Sequence, residues 1–178
     1  FDFTGLGAAA LLFDSQQVEI FRGPQATVFG TGALAGAVLI KSTQAKELDA
    51  DYVQLTAATK SSYRVEAGKS VEVADNLALR GALVHNQSDG FVRNTFLNRD
   101  DTNNIDESSV KGQLKWLISD DLTLDVVSHF ADVDNGYNAF SIDNHRDIPA
   151  DDPGHDRQKT HATSLTLNWS GNDNYDAI

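Results

Sequence analysis

From Tyr52 onward the chain alternates apolar and polar residues with a period of two, and this constrains its fold more than any other feature. In Leu77-Ala78-Leu79-Arg80-Gly81-Ala82-Leu83, one parity carries Leu77, Leu79 and Leu83 and the other carries Ala78, Arg80 and Ala82. Such alternation is the signature of strands with two unlike faces, because successive side chains leave a pleated backbone on opposite sides. Six strands are predicted, at roughly 52–59, 63–71, 77–87, 109–118, 122–132 and 161–169. Leu79, Leu83, Val110, Leu114, Trp116, Leu124, Val126, Leu165, Leu167 and Trp169 belong to one surface. Arg80, Lys111, Gln113, Lys115, Asp125, His129 and Thr166 belong to the other.

A soluble sandwich gives the same alternation, so the connections carry more weight. From the third strand on they run long (88–108), short (119–121), long (133–160) and short (170–174). Outer-membrane barrels have short turns at one rim and long loops at the other, and only alternate residues face lipid. Trp116 and Trp169 each lie on the apolar parity just before a short turn, where an indole ring favours the membrane interface. The polar parity then faces a lumen, and Arg80, Lys111, Lys115, Asp125 and His129 are the lumen-facing candidates.

Composition excludes several functions. A formal net charge of −12 argues against a nucleic-acid partner. The absence of Cys removes disulfides and thiolate metal sites. No apolar run approaches the ~20 residues of a spanning helix, and Phe1-Asp2-Phe3 lacks the basic start of a signal peptide. Gly30-Thr31-Gly32-Ala33-Leu34-Ala35-Gly36 has the wrong spacing for a dinucleotide loop and precedes a strand instead of a helix. No phosphate-binding loop or hydrolase elbow occurs, so no enzyme is expected, no catalytic residue is assigned and no cofactor is implied. His145, His155 and His161 among Asp143, Asp147, Asp151, Asp152 and Asp156 read as solvated acidic loop, with no metal site assigned.

Residues 1–43 have a different texture, rich in Gly and Ala, with short strands at Val18–Phe21 and Val38–Ile40. Residues 44–51 read as a polar linker. The stretch from Val18 to Ile40 closely resembles the end of the plug domain of TonB-dependent outer-membrane receptors. The match rests on Glu19, Arg22, Gly23, Pro24, Gln25, Phe29, Gly30, Ala33, Gly36 and Ile40. In that family a strand ends in an Arg-Gly-Pro run, a short helical turn with aromatic-Gly follows, and a glycine-rich loop leads into an apolar strand. Asn86–Phe91 is also similar to the family's early barrel.

The resemblance implies a mainly β chain. It would be a fragment of a transmembrane antiparallel β-barrel of about six strands (52–178), preceded by the C-terminal part of a small α/β plug domain (1–43). It further implies that Glu19 and Arg22 form a charged pair facing the barrel wall. Gly23, Pro24, Gly30 and Gly36 would serve the backbone geometry, and Val18, Ile20, Val38 and Ile40 the plug's core. A plugged transporter of this class has 22 strands, so the chain reads as a partial barrel. The implied function is energy-coupled uptake of a scarce nutrient such as a ferric siderophore. The implied partners are the TonB-ExbB-ExbD complex, outer-membrane lipid and a small-molecule cargo, and the implied location is the outer membrane of a Gram-negative bacterium. The rival expectation is a secreted or surface β-sandwich module for binding or adhesion, whose apolar face would be covered by a second sheet.

Overall fold

A computed structural model describes residues 12–25, 27, 30, 33, 35–46, 50–137 and 145–171. Ten strands occur among them. β1 (Ser15–Arg22) and β2 (Gly36–Ser42) form an antiparallel hairpin. β3 (Tyr52–Ala58), β4 (Ser62–Ala74), β5 (Leu77–Ser88), β7 (Ile105–Ser119), β8 (Leu122–Tyr137) and β10 (Gly154–Trp169) form one meandering sheet in the order β3-β4-β5-β7-β8-β10. Every pairing in it is antiparallel. Two-residue strands β6 (Arg93–Asn94) and β9 (Asp147–Ile148) pair in parallel inside the long connections.

The register sorts the side chains as the alternation requires, since directly opposed residues share a face. Leu79, Leu114, Val126 and Leu165 line up across four strands, and so do Trp116, Leu124 and Leu167. On the opposite face Arg80 meets Gln113, Lys111 meets His129, and Lys115 meets Asp125, which meets Thr166.

Burial inverts the usual soluble pattern. Along β5 the buried residues are Ala78, Arg80, Ala82 and Val84, with Arg80 only 2% exposed, whereas Leu79 and Leu83 are 39% and 45% exposed. Leu165, Leu167, Trp116 and Trp169 are likewise exposed. A soluble sandwich buries its apolar face. Here, among the described residues, no second sheet covers it. On β8 the apolar face runs from Leu122 to Phe130, about 27 Å along the strand. With a barrel strand's tilt this becomes about 21 Å of height, close to the apolar band of ~25 Å on such barrels.

The strands outrun their sequence boundaries on the long-loop side. β7 begins at Ile105, β8 continues to Tyr137 and β10 starts at Gly154. These extensions carry Asp106, Asp132, Asp134, Arg157 and Lys159 on the parity that is apolar lower down. The backbone ladder continues where the face that is apolar lower down turns polar, so the hydrophobic alternation stops before the strand does.

The short turns also tighten. Only Asp75 and Asn76 separate β4 from β5, and Thr59 to Ser61 separate β3 from β4, with Lys60 and Ser61 at φ of 64° and 51°. The helical turn expected after Pro24 and the glycine loop fall largely on residues 26, 28, 29, 31, 32 and 34, outside the described set.

Candidate functional site: the contact between hairpin and sheet

The hairpin meets the polar face of the sheet at its base. Asp14, at φ 50°, turns the chain into β1, and its carbonyl accepts from Thr43 N at 3.1 Å, closing the base beside β2. Its carboxylate receives Arg80 in a fork. Nε donates to both oxygens at 3.0 and 3.1 Å, and Nη2 donates to Oδ1 at 2.5 Å. Both side chains are fully buried. A guanidinium and a carboxylate can stay ionised without water only when paired and hydrogen-bonded in this way.

Arg80 spends its remaining donors on the wall and the linker. Nη1 donates to Ser70 Oγ at 2.9 Å and Nη2 to the Ala50 carbonyl at 3.0 Å. One side chain therefore holds the chain just before the hairpin, near the end of the 44–51 stretch, and on β4. Asp51 stands behind it, accepting from Ser70 N at 2.7 Å and from Lys69 Nζ at 3.0 Å. Gly68 makes the space. A Cβ there would lie 2.6 Å from Tyr52 Cε1, 2.7 Å from Arg80 Nη2 and 3.1 Å from Asp14 Oδ1.

A second set of contacts runs along β7. Lys111 Nζ donates to the Phe13 carbonyl at 3.1 Å and to Ser42 Oγ at 2.9 Å, and lies 4.7 Å from the centroid of the Phe13 ring. Gln113 Nε2 donates to the Thr43 carbonyl at 2.8 Å. Lys115 Nζ reaches Gln44 Oε1 at 3.4 Å and lies 3.6 Å from Asp125 Oδ1. Phe13, Ala82 and Val84 form a small apolar cluster beneath the hairpin's base, and the buried His129 ring lies 5.9 Å from Phe13. On the other flank Arg64 Nη2 donates to the Leu12 carbonyl at 3.3 Å.

All five lumen-facing candidates thus lie on the covered face. Arg80 and Lys111 hold the hairpin directly, Lys115 does so through Gln44, Asp125 neutralises Lys115, and His129 packs beside Phe13. The motif residues are placed differently. Glu19 does not pair with Arg22; it binds Lys41 Nζ across the hairpin at 2.6 Å. Residues three apart on a strand point to opposite faces, so Arg22 lies with Val18 and Ile20 while Glu19 lies with Phe21. Among the described residues Arg22 has no carboxylate within 4.0 Å.

Val18, Ile20, Val38 and Ile40 share a face through the pairs Val18–Ile40 and Ile20–Val38. They do not build a core here, because Ile20 and Val38 are 70% and 63% exposed. The face is apolar but has no buried partner layer among the described residues. Gly23 and Gly30 sit at φ of 87° and 85°, where a side chain would be strained. Pro24 follows Gly23 at the hairpin's open end, and Gly36, opposite Arg22, opens β2. Neither Glu19 nor Arg22 makes a side-chain hydrogen bond or ion pair with the six-stranded sheet among the described residues.

The acid that does reach the wall, Asp14, was missed. Its signal in the sequence is slight: one carboxylate closing the apolar run Ala8 to Phe13. Gly68 and Ser70 carried no signal, because their role depends on Asp14 arriving from 54 or more residues away. No group of three or more His, Asp or Glu with metal-holding geometry occurs among the described residues, and Asp143 of the acidic loop lies outside them.

No family model matches the chain. It is 31% identical over 91 residues to the pesticin receptors of Yersinia enterocolitica and Yersinia pestis, a stretch covering 51% of this chain and 14% of theirs. In fold it is similar to the ferric yersiniabactin uptake receptor FyuA of Yersinia pestis, with a TM-score of 0.77 at 22% identity, over 90% of this chain and 27% of FyuA. It is also similar to the siderophore receptor PiuA of Acinetobacter baumannii, with a TM-score of 0.56 at 16% identity, over 68% of this chain and 16% of PiuA. The chain therefore spans about a seventh of the curated relatives it matches. With an Arg-Gly-Pro hairpin docked on the polar face of an outward-apolar meander, the chain resembles the TonB-dependent siderophore receptors in sequence and in fold, matching a fragment of such a receptor's barrel.

Proposed function

We propose that the complete protein is an energy-coupled outer-membrane receptor that imports a scarce nutrient, with a ferric siderophore as cargo. In this reading residues 1–43 close the plug, 44–51 link it to the barrel, and 52–178 begin the wall, in the outer membrane of a Gram-negative bacterium. The observation that carries the reading is the buried Asp14–Arg80 fork between hairpin and wall. An ion pair on the inner face of a sheet whose outer face is apolar suits a plug held inside a membrane barrel. The names of the relatives, pesticin receptor, ferric yersiniabactin uptake receptor and siderophore receptor, support the choice of cargo.

The part of the site described here is a structural latch and not a cargo pocket. Its charges are taken up by backbone carbonyls, hydroxyls and each other. Coupling to the TonB-ExbB-ExbD complex would act on the plug that this latch retains.

The test is uptake of radiolabelled ferric siderophores by iron-starved cells carrying the full-length receptor as their only such receptor. The expected result is saturable uptake that disappears when TonB is deleted. Uptake that survives loss of TonB, or growth that is indifferent to every ferric chelate, overturns the reading.

A further inference from the structure

The two long connections at the rim opposite the Trp-bearing turns meet at Asn94, which is 0% exposed. Its side chain works in two directions. Within its own connection, Oδ1 accepts from Phe96 N at 3.1 Å and Leu97 N at 3.0 Å, bending the chain into a tight turn. Toward the other connection, Nδ2 donates to the Ala150 carbonyl at 2.8 Å. Only this orientation of the amide satisfies all three partners, because the first two are donors and the third is an acceptor.

The backbone continues the bridge. Arg93 N donates to the Arg146 carbonyl at 2.9 Å, and Thr95 N to the Ile148 carbonyl at 3.0 Å. Asn94 and Arg99 exchange backbone hydrogen bonds at 2.7 and 3.0 Å, which closes the turn. The start of the first connection is tied to the β3–β4 turn. There Asp89 N donates to the Lys60 carbonyl at 3.0 Å, and the hydroxyls of Ser62 and Ser88 lie 2.7 Å apart. Its end is tied to β8, where Gly136 N donates to the Asn104 carbonyl at 2.9 Å. On this frame Phe91 and Phe96 stand 64% and 67% exposed.

We propose that segments 89–104 and 145–153 act as one rigid body, and that Asn94 is the positioning residue that makes them so. A parallel ladder of two residues is too short to hold by itself, since isolated pairs of strands are marginal even at greater length. The buried amide supplies the missing specificity, because pulling the segments apart would strand a buried donor and a buried acceptor together. The consequence is that the face bearing Phe91 and Phe96 keeps a fixed position relative to the second connection. The proposal concerns the loops alone and stands apart from the choice of cargo.

Asn94→Asp separates the two functions of the side chain. The carboxylate keeps the acceptor for Phe96 and Leu97 but loses the donor to Ala150. The experiment uses the full-length receptor in nanodiscs, with spin labels at Thr95→Cys and Asp151→Cys; this chain contributes no Cys of its own. The native Asn94 background should give one narrow distance distribution. Asn94→Asp should broaden it or add a longer component, and should speed amide exchange in peptides covering 91–97 about tenfold, as the loss of roughly one buried hydrogen bond predicts. Asn94→Gln, which retains both donor and acceptor, should fall between the two. Heat-modified gel mobility confirms that each variant has a folded barrel. An unchanged distribution and unchanged exchange in Asn94→Asp overturn the proposal, as does a broad distribution in the native background.

Discussion

Asp14 and Arg80, 66 positions apart in sequence, are each buried only because the other is there. Arg80→Ala in the full-length receptor should therefore destabilise the plugged state by roughly 3–5 kcal/mol, because it leaves a buried carboxylate unpaired. The measurement is sensitivity of cells to a bulky antibiotic that an intact outer membrane excludes, and it should rise. Replacing both residues with Leu should recover much of the loss, since an apolar pair strands no charge. A single variant as tight as the native protein would remove Asp14–Arg80 from the latch. Gly68→Val should give the same leak, because its side chain would occupy the space of Tyr52, Arg80 and Asp14. Gly81→Val provides the contrast, since nothing lies within 4 Å of a Cβ added there.

A different pair, Arg99 and Asp101, lies in the exposed loop. The guanidinium's hydrogen bond holds the Asp101 carboxyl below its ordinary value and pushes Arg99 up. A depressed carboxylate contributes above its unfolded pKa and loses its effect as pH falls through the folded one. The pair should thus survive mild acid. A titration of Asp101 by NMR should show a midpoint below about 3.9, the ordinary aspartate value, and Arg99→Ala should return it there. The place of Arg80 on the polar face was legible from parity alone. Its partner was not, because a pairing between distant segments leaves no local pattern.

At the level of elements, the strands follow from alternation and the turns from their brevity, so the meander was legible almost whole. The exceptions have physical reasons. Strand ends beyond the apolar band carry polar residues such as Asp106, Asp134 and Arg157 on the outer face, which erases the period-2 signal while leaving the hydrogen-bond ladder intact. β6 and β9 are two residues each, too short for any periodicity. The β3–β4 turn carries Lys60 and Ser61 at positive φ, where Cβ atoms are strained. Ser61→Gly should relieve that strain and raise the stability of the folded barrel by about 0.5 kcal/mol. This is measurable as a higher urea midpoint in lipid vesicles, and a lower midpoint would mean that the strain is offset by contacts of the Ser61 side chain.

At the scale of the whole molecule, the decisive property is which face meets which medium. Leu165 and Thr166 are neighbours on β10, with Leu165 on the apolar face and Thr166 on the face that carries Asp125 and Lys115. Leu165→Arg should therefore cost about 2–4 kcal/mol of barrel stability in lipid if it lies near the bilayer midplane. Thr166→Arg should cost far less, as read from urea midpoints of the refolded receptor. Equal costs would mean that the two faces see the same medium. The antiparallel meander, the two unlike faces and the long and short rims are written in local periodicity and connection length, and the likeness to TonB-dependent receptors in one contiguous motif. Where the hairpin grips the wall is set by contacts between distant segments. That grip depends on Asp14, Ala50, Gly68, Ser70 and Arg80 meeting in one buried place, and burial of a charge is a property of what surrounds it, which no single stretch of sequence contains.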